Sequence, residues 1–293
     1  MRRDESVVAI GEFDGFHLGH GDIVRAAQQL ARATDRAAVA VVVAARDGTP
    51  QLLSPERRCV LAIQAGADWA VVVEADRNDP GDDLAGRLSA LVGDEHGARA
   101  ALLGCAPADG RPTRWPALPP ALVRLGVEVH EVGRRRSAGG IPLTSDAVVA
   151  CVEAGDVEAA GRMIGRPVEM DGMVVPGTEL GRRLGFPTAN VVPDNGRVCA
   201  AAGVYAGYAV LPDGRHALAT VNIGVRPTDD GDGRPLMEAH LLDFCDDLLG
   251  CRLRIDLVRR LRDDQQFDSI DALVDQIASD VRATRDALTP RLG

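Results

Sequence analysis

Aromatic residues make up only 3% of the 293 positions, so any surface on which a planar ligand could rest must be drawn from a handful of rings. Six cysteines are present, at Cys59, Cys105, Cys151, Cys199, Cys245 and Cys251, and none forms a CxxC pair. That spacing argues against a zinc cage and a disulfide framework, and it suits a reducing cytoplasm. No uninterrupted apolar run approaches the roughly 18 residues needed to span a bilayer, and the start, MRRDESVVAIGEF, enters a strand-like segment at once, so a soluble chain without a signal peptide is expected. Basic charge is scarce too. With 43 acidic residues against 33 basic ones and a net charge of −10, no footprint for nucleic acid or an anionic membrane surface is expected, and any phosphate must be held by local groups. Internal repeats and low-complexity tracts are missing as well.

What is there reads as two domains, which the length favours. From Val7 to about Gly133, strand-like runs (VVAI, AAVAVVV, WAVVVEA, AALLGC, VEVHEV) alternate with helical stretches (DIVRAAQQLARA, SPERRCVLAIQAG, DDLAGRLSALVG, PPALVRLG). Nearly continuous Val/Ala/Leu strands separated by helices predict a parallel sheet covered on both faces, a Rossmann-like α/β domain. Ser54, Pro55 and Glu56 predict a helix start, with the hydroxyl as cap. The segment RRRSAGG at 134–140 breaks the pattern. Beyond about Gly165 the grammar turns to β segments, GMVV, GVYAGYAV, ALATVNIG, PLMEAHLLDF and RLRIDLVRR, separated by turns such as Pro212-Asp213-Gly214. A small antiparallel barrel is expected, closed by a final helix on which Ile270, Leu273, Val274, Ile277, Val281 and Leu288 recur at helical spacing, capped by Asp268 or Ser269. The domains are expected to run over 1–153 and 160–293.

The most informative stretch is GMVVPGTELGRRLGFPTANV, residues 172–191. Gly177, Gly181 and Gly185 would permit positive φ and close approach of backbone N–H groups to phosphate oxygens. Arg182 and Arg183 would add positive charge. Thr188 and Asn190 offer two hard oxygens suited to Mg²⁺, which keeps waters and nucleotide oxygens as its other ligands. A glycine-rich loop alone could equally be a flexible turn. The stretch with its Pro187-Thr188-Ala189-Asn190 motif nevertheless resembles the riboflavin kinase family, and so do VNIGVRPT at 221–228, MEAHLLDF at 237–244 and LLGCRLRIDLVRRLRDDQQFDS at 248–269, all in the family's order.

This resemblance covers about Gly165 nearly to the end and implies a six-stranded antiparallel barrel that uses ATP, with Mg²⁺, to phosphorylate riboflavin to FMN. It implies that Glu238 is the catalytic base, Thr188 and Asn190 the metal and ATP ligands, and Arg262 with Phe267 the flanks of the flavin. By itself Glu238 could be a solvated carboxylate on a polar strand face. A carboxylate near an ATP γ-phosphate and a substrate hydroxyl can accept that hydroxyl's proton during in-line attack, so the role is chemically apt. His240 shares its face by strand period and is expected to support it. Phe186, Tyr205, Tyr208, Phe244 and Phe267 are flavin candidates by scarcity, and most could equally be core.

After the first strand comes GEFDGFHLGH, residues 11–20. Gly11, Phe13, Asp14, His17, Gly19 and His20 resemble the HxGH signature of nucleotidyltransferases, with His17 and His20 at the mouth of a helix whose N-terminal N–H groups favour phosphate. Together with LLSPERRCVLAIQAGAD, the layout resembles bacterial bifunctional riboflavin kinase and FAD synthetase, whose first module transfers AMP to FMN. Three of that module's motifs are altered. AARDGTP at 44–50 stands for a Thr-Phe-Asp-Pro-His-Pro-like segment, and CAPADGRPT at 105–113 for Asp-Phe-Arg-Phe-Gly. Thr144, Ser145, Asp146, Ala147, Val148 and Val149 stand for Ser-Ser-Thr-Arg-Ile-Arg, so both arginines become apolar. Losing a charged partner of a phosphate costs on the order of a few kcal/mol. Retained FAD synthesis, a scaffolding module and a redirected nucleotidyltransferase all stay open for the first half. A flavin-binding regulator without turnover is the alternative for the second; intact Thr188, Asn190 and Glu238 speak against it.

Overall fold

Val7 to Ile10 and Ala37 to Val43 are at most 2% exposed at every position. Burial without alternation belongs to central strands of a parallel sheet covered on both faces. The computed structural model describes residues 5–45, 48–75, 86–88, 97–104, 115–136, 140, 142–178, 180–226 and 234–288. The chain divides into two compact units, Met1–Ser145 and Asp146–Gly293.

In the first unit β1 (Ser6–Gly11), β2 (Ala37–Ala45), β3 (Trp69–Ala75), β4 (Ala98–Gly104) and β5 (Glu128–Val132) form one parallel sheet in the order β3-β2-β1-β4-β5. Helix α1 (Leu18–Ala33) buries Ile23, Val24, Ala27 and Ala31, and it packs on β1, β2 and β4. Helix α2 (Pro55–Ala65) starts where the sequence places it, with Ser54 Oγ accepting from Arg57 N at 3.1 Å. Helix α3 (Leu118–Arg124) buries Leu118 and Leu122 in a core with Val8, Ile10, Val39, Val41 and Trp115. Of the expected helix at 82–93 only residues 86–88 lie among those described, and they are helical. Strand order reverses between β1 and β4. The loop leaving the carboxyl end of β1 therefore opens at the switch point, where α/β sheets bind ligands.

Helix α4 (Ser145–Glu153) begins at the last residue of the first unit, and α5 (Val157–Ile164), capped by the Asp156 carboxylate, follows in the second. Strands β6 (Val168–Val175), β7 (Ala189–Pro193), β8 (Gly203–Val210), β9 (His216–Arg226), β10 (Arg234–Leu241) and β11 (Arg252–Arg262) close a barrel in the order β10-β7-β6-β11-β8-β9. Every neighbouring pair is antiparallel. Val191, Val221, Ile223, Met237, Ala239, Leu253, Ile255 and Leu257 fill it, each at most 2% exposed. Strand period turns the residues between them outward.

Helix α6 is a single turn (Leu180–Arg183), and α7 (Ile270–Leu288) lies along β8, β9 and β11. Ser269, one of the two expected caps, accepts from Ala272 N at 3.2 Å. The apolar spacing predicts an apolar contact face for α7, yet its fully buried positions are Asp280, Thr284 and Leu288, and Ile270 is exposed. Arg262 binds the Asp280 carboxylate through Nε at 3.1 Å and Nη2 at 2.8 Å, Gln276 donates to the same carboxylate at 2.9 Å, and Thr284 shares a 2.8 Å hydrogen bond with Thr220. Because those barrel positions are polar, the helix answers with partners rather than with leucines. Among the described residues no helix is long and apolar enough to cross a membrane.

Candidate functional site

On the outer face of the barrel one row of residues crosses several strands. Glu238 on β10 pairs in register with Asn190 on β7 and with Asn222 on β9. Asn222 is paired onward with Val204 on β8, and Val204 with Arg262 on β11. Asn222 Nδ2 donates to Glu238 Oε2 at 3.4 Å. With strands about 4.8 Å apart, Arg262 lies about 14 Å from Glu238 along this row. A carboxylate, two amides and, farther along, a guanidinium thus share one track.

The glycine segment is folded against the start of that track. Gly177 follows β6, and a Cβ there would collide with the Asn190 amide. Gly181 lies against Phe186 O and Thr188 Oγ1, which a Cβ would meet at 2.5 and 3.3 Å. Neither glycine has positive φ, so the expectation of left-handed backbone at these two positions is corrected: both serve close approach. Gly185 does have it, at φ 88°. It ends α6 in a Schellman turn, with Phe186 N donating to Gly181 O at 2.8 Å and Gly185 N to Arg182 O at 3.2 Å. Arg182, Arg183 and Thr188 stand exposed on this turn and just beyond it. His240 Nδ1 donates to Pro187 O at 2.8 Å, and its ring meets Phe186 edge-on at 5.6 Å. The carbonyl can only accept, so His240 pins the chain immediately before Thr188. Arg262 lies over the Phe267 ring at 5.8 Å, and its guanidinium is already engaged by Asp280.

In the first unit the segment after β1 makes a tight loop. Phe13 and Phe16 have φ of 54° and 41°, a left-handed conformation that costs a non-glycine residue about 1 kcal/mol or more. Asp14 between them holds it. Its buried carboxylate accepts from Gly15 N at 3.0 Å and from Leu52 N and Leu53 N at 3.1 Å, and pairs with Arg58 at 3.1 Å. Arg58 is fully buried and donates to Leu53 O, Glu12 O and Gln51 Oε1. Asp14 is therefore a brace behind the loop. Ser145 Oγ reaches Asp14 O at 3.1 Å.

His17 caps α1, its Nδ1 accepting from His20 N at 3.2 Å, so the neutral ring carries its proton on Nε2. The two imidazoles stack at 3.6 Å, and His20 meets Phe13 edge-on at 5.3 Å. Gly11 and Gly19 make room for the rings of Phe13 and His17. Burial pushes His17 down to about 4 and His20 well below its ordinary range, the latter helped by His17 and Arg58. Both are uncharged at neutral pH, so each ring carries an N–H dipole rather than a full charge. Asp146 is exposed and Val148 buried on α4. The altered segment 105–113 lies outside the described residues, as do residues 46–47.

Asn222, Asp280 and Arg58 are absent from the sequence-based set of site residues. For Asn222 a signal existed, since asparagine is depleted in strands and here interrupts ALATVNIG on the polar face.

Comparison with known proteins finds a family for each unit. The riboflavin kinase family model matches residues 164–288, and the FAD synthetase family model matches residues 1–77. A bifunctional riboflavin kinase/FMN adenylyltransferase of Pseudomonas fluorescens is 33% identical over 295 residues, 97% of this chain and 93% of that protein. The protein of the same description from Escherichia coli (strain K12) is 32% identical, covering 96% of this chain and 92% of its own. A crystal structure described as a macrolide-efflux protein from Streptococcus pneumoniae superposes with a TM-score of 0.79 at 25% identity, covering 98% of this chain and 95% of that one. Similarity of this extent over both units makes the chain a member of the bifunctional riboflavin kinase/FMN adenylyltransferase family.

Proposed function

We propose that the second unit transfers the γ-phosphoryl group of ATP to the 5′-hydroxyl of riboflavin, giving FMN and ADP. The observation that carries this reading is the register of Asn190, Glu238 and Asn222 on one face, beside a glycine turn that presents Thr188. Glu238 accepts the hydroxyl proton as that oxygen attacks phosphorus in line and the bond to ADP breaks. Arg182 and Arg183 lend positive charge to the phosphates in an otherwise acidic protein. The flavin ring extends along the row toward Arg262 and Phe267, a span of about 14 Å that suits a ribityl chain with a tricyclic ring.

The donors at the head of the row fit a magnesium ion. Thr188 Oγ1 and Asn190 Oδ1 are hard oxygens, and no group of three or more His, Cys, Asp or Glu among the described residues forms a cage of its own. That fits an ion most of whose ligands are nucleotide oxygens and water. Bound there, Mg²⁺ would neutralise charge on the β- and γ-phosphates. The chain's own part is to hold the two oxygens: Gly177 gives the Asn190 amide its place, and His240 fixes the carbonyl before Thr188.

For the first unit, we infer that a nucleotide pocket is framed but poorly charged. His17 and His20 are neutral, and Ala147 and Val149 stand where the family's arginines would meet phosphate. FMN is therefore the expected product, made in the cytoplasm that the free thiols suit. The test is chromatographic separation of riboflavin, FMN and FAD after incubation with ATP and Mg²⁺, with Glu238→Gln alongside. FMN without FAD, lost in Glu238→Gln, supports the reading. Abundant FAD would restore adenylylation by the first unit, and absence of FMN would overturn the kinase.

A further inference from the structure

We infer that Asn222 is a positioning residue for phosphoryl transfer, holding the carboxylate of Glu238 in the orientation in which it takes the substrate proton. The inference rests on the reading of Glu238 as base.

Glu238 stands on a strand face with neighbours on both sides. On β7 its partner in register is Asn190, whose amide is seated against Gly177. On β9 its partner is Asn222, whose Nδ2 donates to Oε2 at 3.4 Å. Residues directly opposite on antiparallel strands have Cβ atoms about 5 Å apart, so the two side chains meet without any loop having to order. The nitrogen must face the carboxylate, because the reversed amide would set two oxygens against each other. The other end of the amide is buried, and Asn222 Oδ1 has no hydrogen-bond partner among the described residues. The amide is thus oriented from one side, by Glu238, and it constrains the carboxylate in return.

Glutamate has three side-chain torsions, and a base that swings freely spends little time within reach of its proton. A donor on Oε2 leaves Oε1 as the oxygen turned to the hydroxyl. The contact needs a residue that donates, is uncharged and is short enough for a cross-strand pair. Asparagine supplies all three. Serine would fall short, lysine would add a charge that competes for the phosphates, and aspartate would repel the base. The cost of an asparagine in a strand is accounted for by this contact.

The experiment is a double-mutant cycle on the full-length chain, with steady-state FMN formation and thermal unfolding measured for wild type, Asn222→Ala, Glu238→Gln and the double variant. Asn222→Ala is expected to lower kcat by ~10- to 100-fold, the range of one hydrogen bond to a charged group, with KM for ATP and for riboflavin within about twofold. In the Glu238→Gln background, whose residual rate is read by single turnover at high enzyme concentration, the same change is expected to alter the rate less than about twofold. An unchanged kcat in Asn222→Ala overturns the inference, and so does an equal loss in both backgrounds, because a structural role does not depend on which carboxyl derivative stands at 238. Should Asn222→Ala melt early, Asn222→Ser keeps a polar side chain at the position, and kcat loss at unchanged melting temperature carries the same meaning. Full activity in Glu238→Gln would instead sink the base assignment itself, a failure distinguishable from an inert Asn222 beside an essential Glu238.

Discussion

Gly177 and Gly185 lie eight positions apart in one loop and solve different problems. Gly185 supplies a left-handed residue at the end of a one-turn helix, whereas Gly177 has no left-handed φ and leaves space for a side chain. A methyl at 177 would meet the Asn190 amide, not a movable surface group. Gly177→Ala is therefore expected to raise KM for ATP and lower kcat/KM by ~10-fold or more, through displacement of Asn190, while thermal stability changes little. Steady-state kinetics with a thermal melt checks it, and wild-type kinetics would show that Asn190 is not held by this contact. Phosphate-loop chemistry suggests positive φ for every glycine in such a segment, and only packing across to β7 separates the two roles. That is why the sequence identifies the positions but not their reasons.

Among the elements, α7 shows most plainly what a sequence conceals. Its apolar residues recur at helical spacing, which locates the helix and its Ser269 cap, yet the positions pressed closest to the barrel are Asp280 and Thr284. Periodicity reports that one side is buried and cannot report that the receiving surface carries Arg262 and Thr220. Strand β7 was hidden for a related reason. Its five residues begin with Ala189-Asn190, the end of the Pro187-Thr188-Ala189-Asn190 stretch that reads as a ligand motif, and the strand emerges only from its pairing with β6 and β10. By contrast, the central strands of the parallel sheet are plainly legible, since the burial of β1 and β2 on both faces writes itself into the composition. Asp280→Ala is expected to destabilise the second unit by about 3 kcal/mol, because it strands a largely buried guanidinium. It should also weaken flavin binding as the segment from Arg262 to Phe267 loosens. Urea unfolding and KM for riboflavin report the two effects, and a stable variant with normal KM would show that Arg262 finds another partner.

At the scale of the molecule, the two units can be observed separately. Both tryptophans, Trp69 and Trp115, belong to the first, and both tyrosines, Tyr205 and Tyr208, to the second. Tryptophan fluorescence therefore follows the unit that contains the buried histidines. His17 has a folded value of about 4 against an ordinary value near 6.5. A depressed folded value means stability that is present above about 6.5 and lost as pH falls toward 4, because the unfolded chain takes up the proton first. The loss between pH 7 and pH 5 is expected to be about 2 kcal/mol from His17, with His20 adding to it. Glu5, also held low by Arg99 and Arg36, loses its contribution only below its ordinary value of 4.5, outside that window. Urea denaturation followed by tryptophan emission at the two pH values checks this, and His17→Gln should flatten the dependence; equal midpoints at pH 7 and 5 would mean that the imidazoles are solvated. The closed barrel adds a consequence for handling. Six strands paired on both sides leave no free rim to recruit another chain, whereas among the described residues the five-stranded sheet ends at β3 and β5. The loss of stability expected in mild acid falls on the unit that has those ends, so turbidity and fibrillar deposits on prolonged storage below neutrality should be seeded from the first unit, while the catalytic barrel remains a bystander.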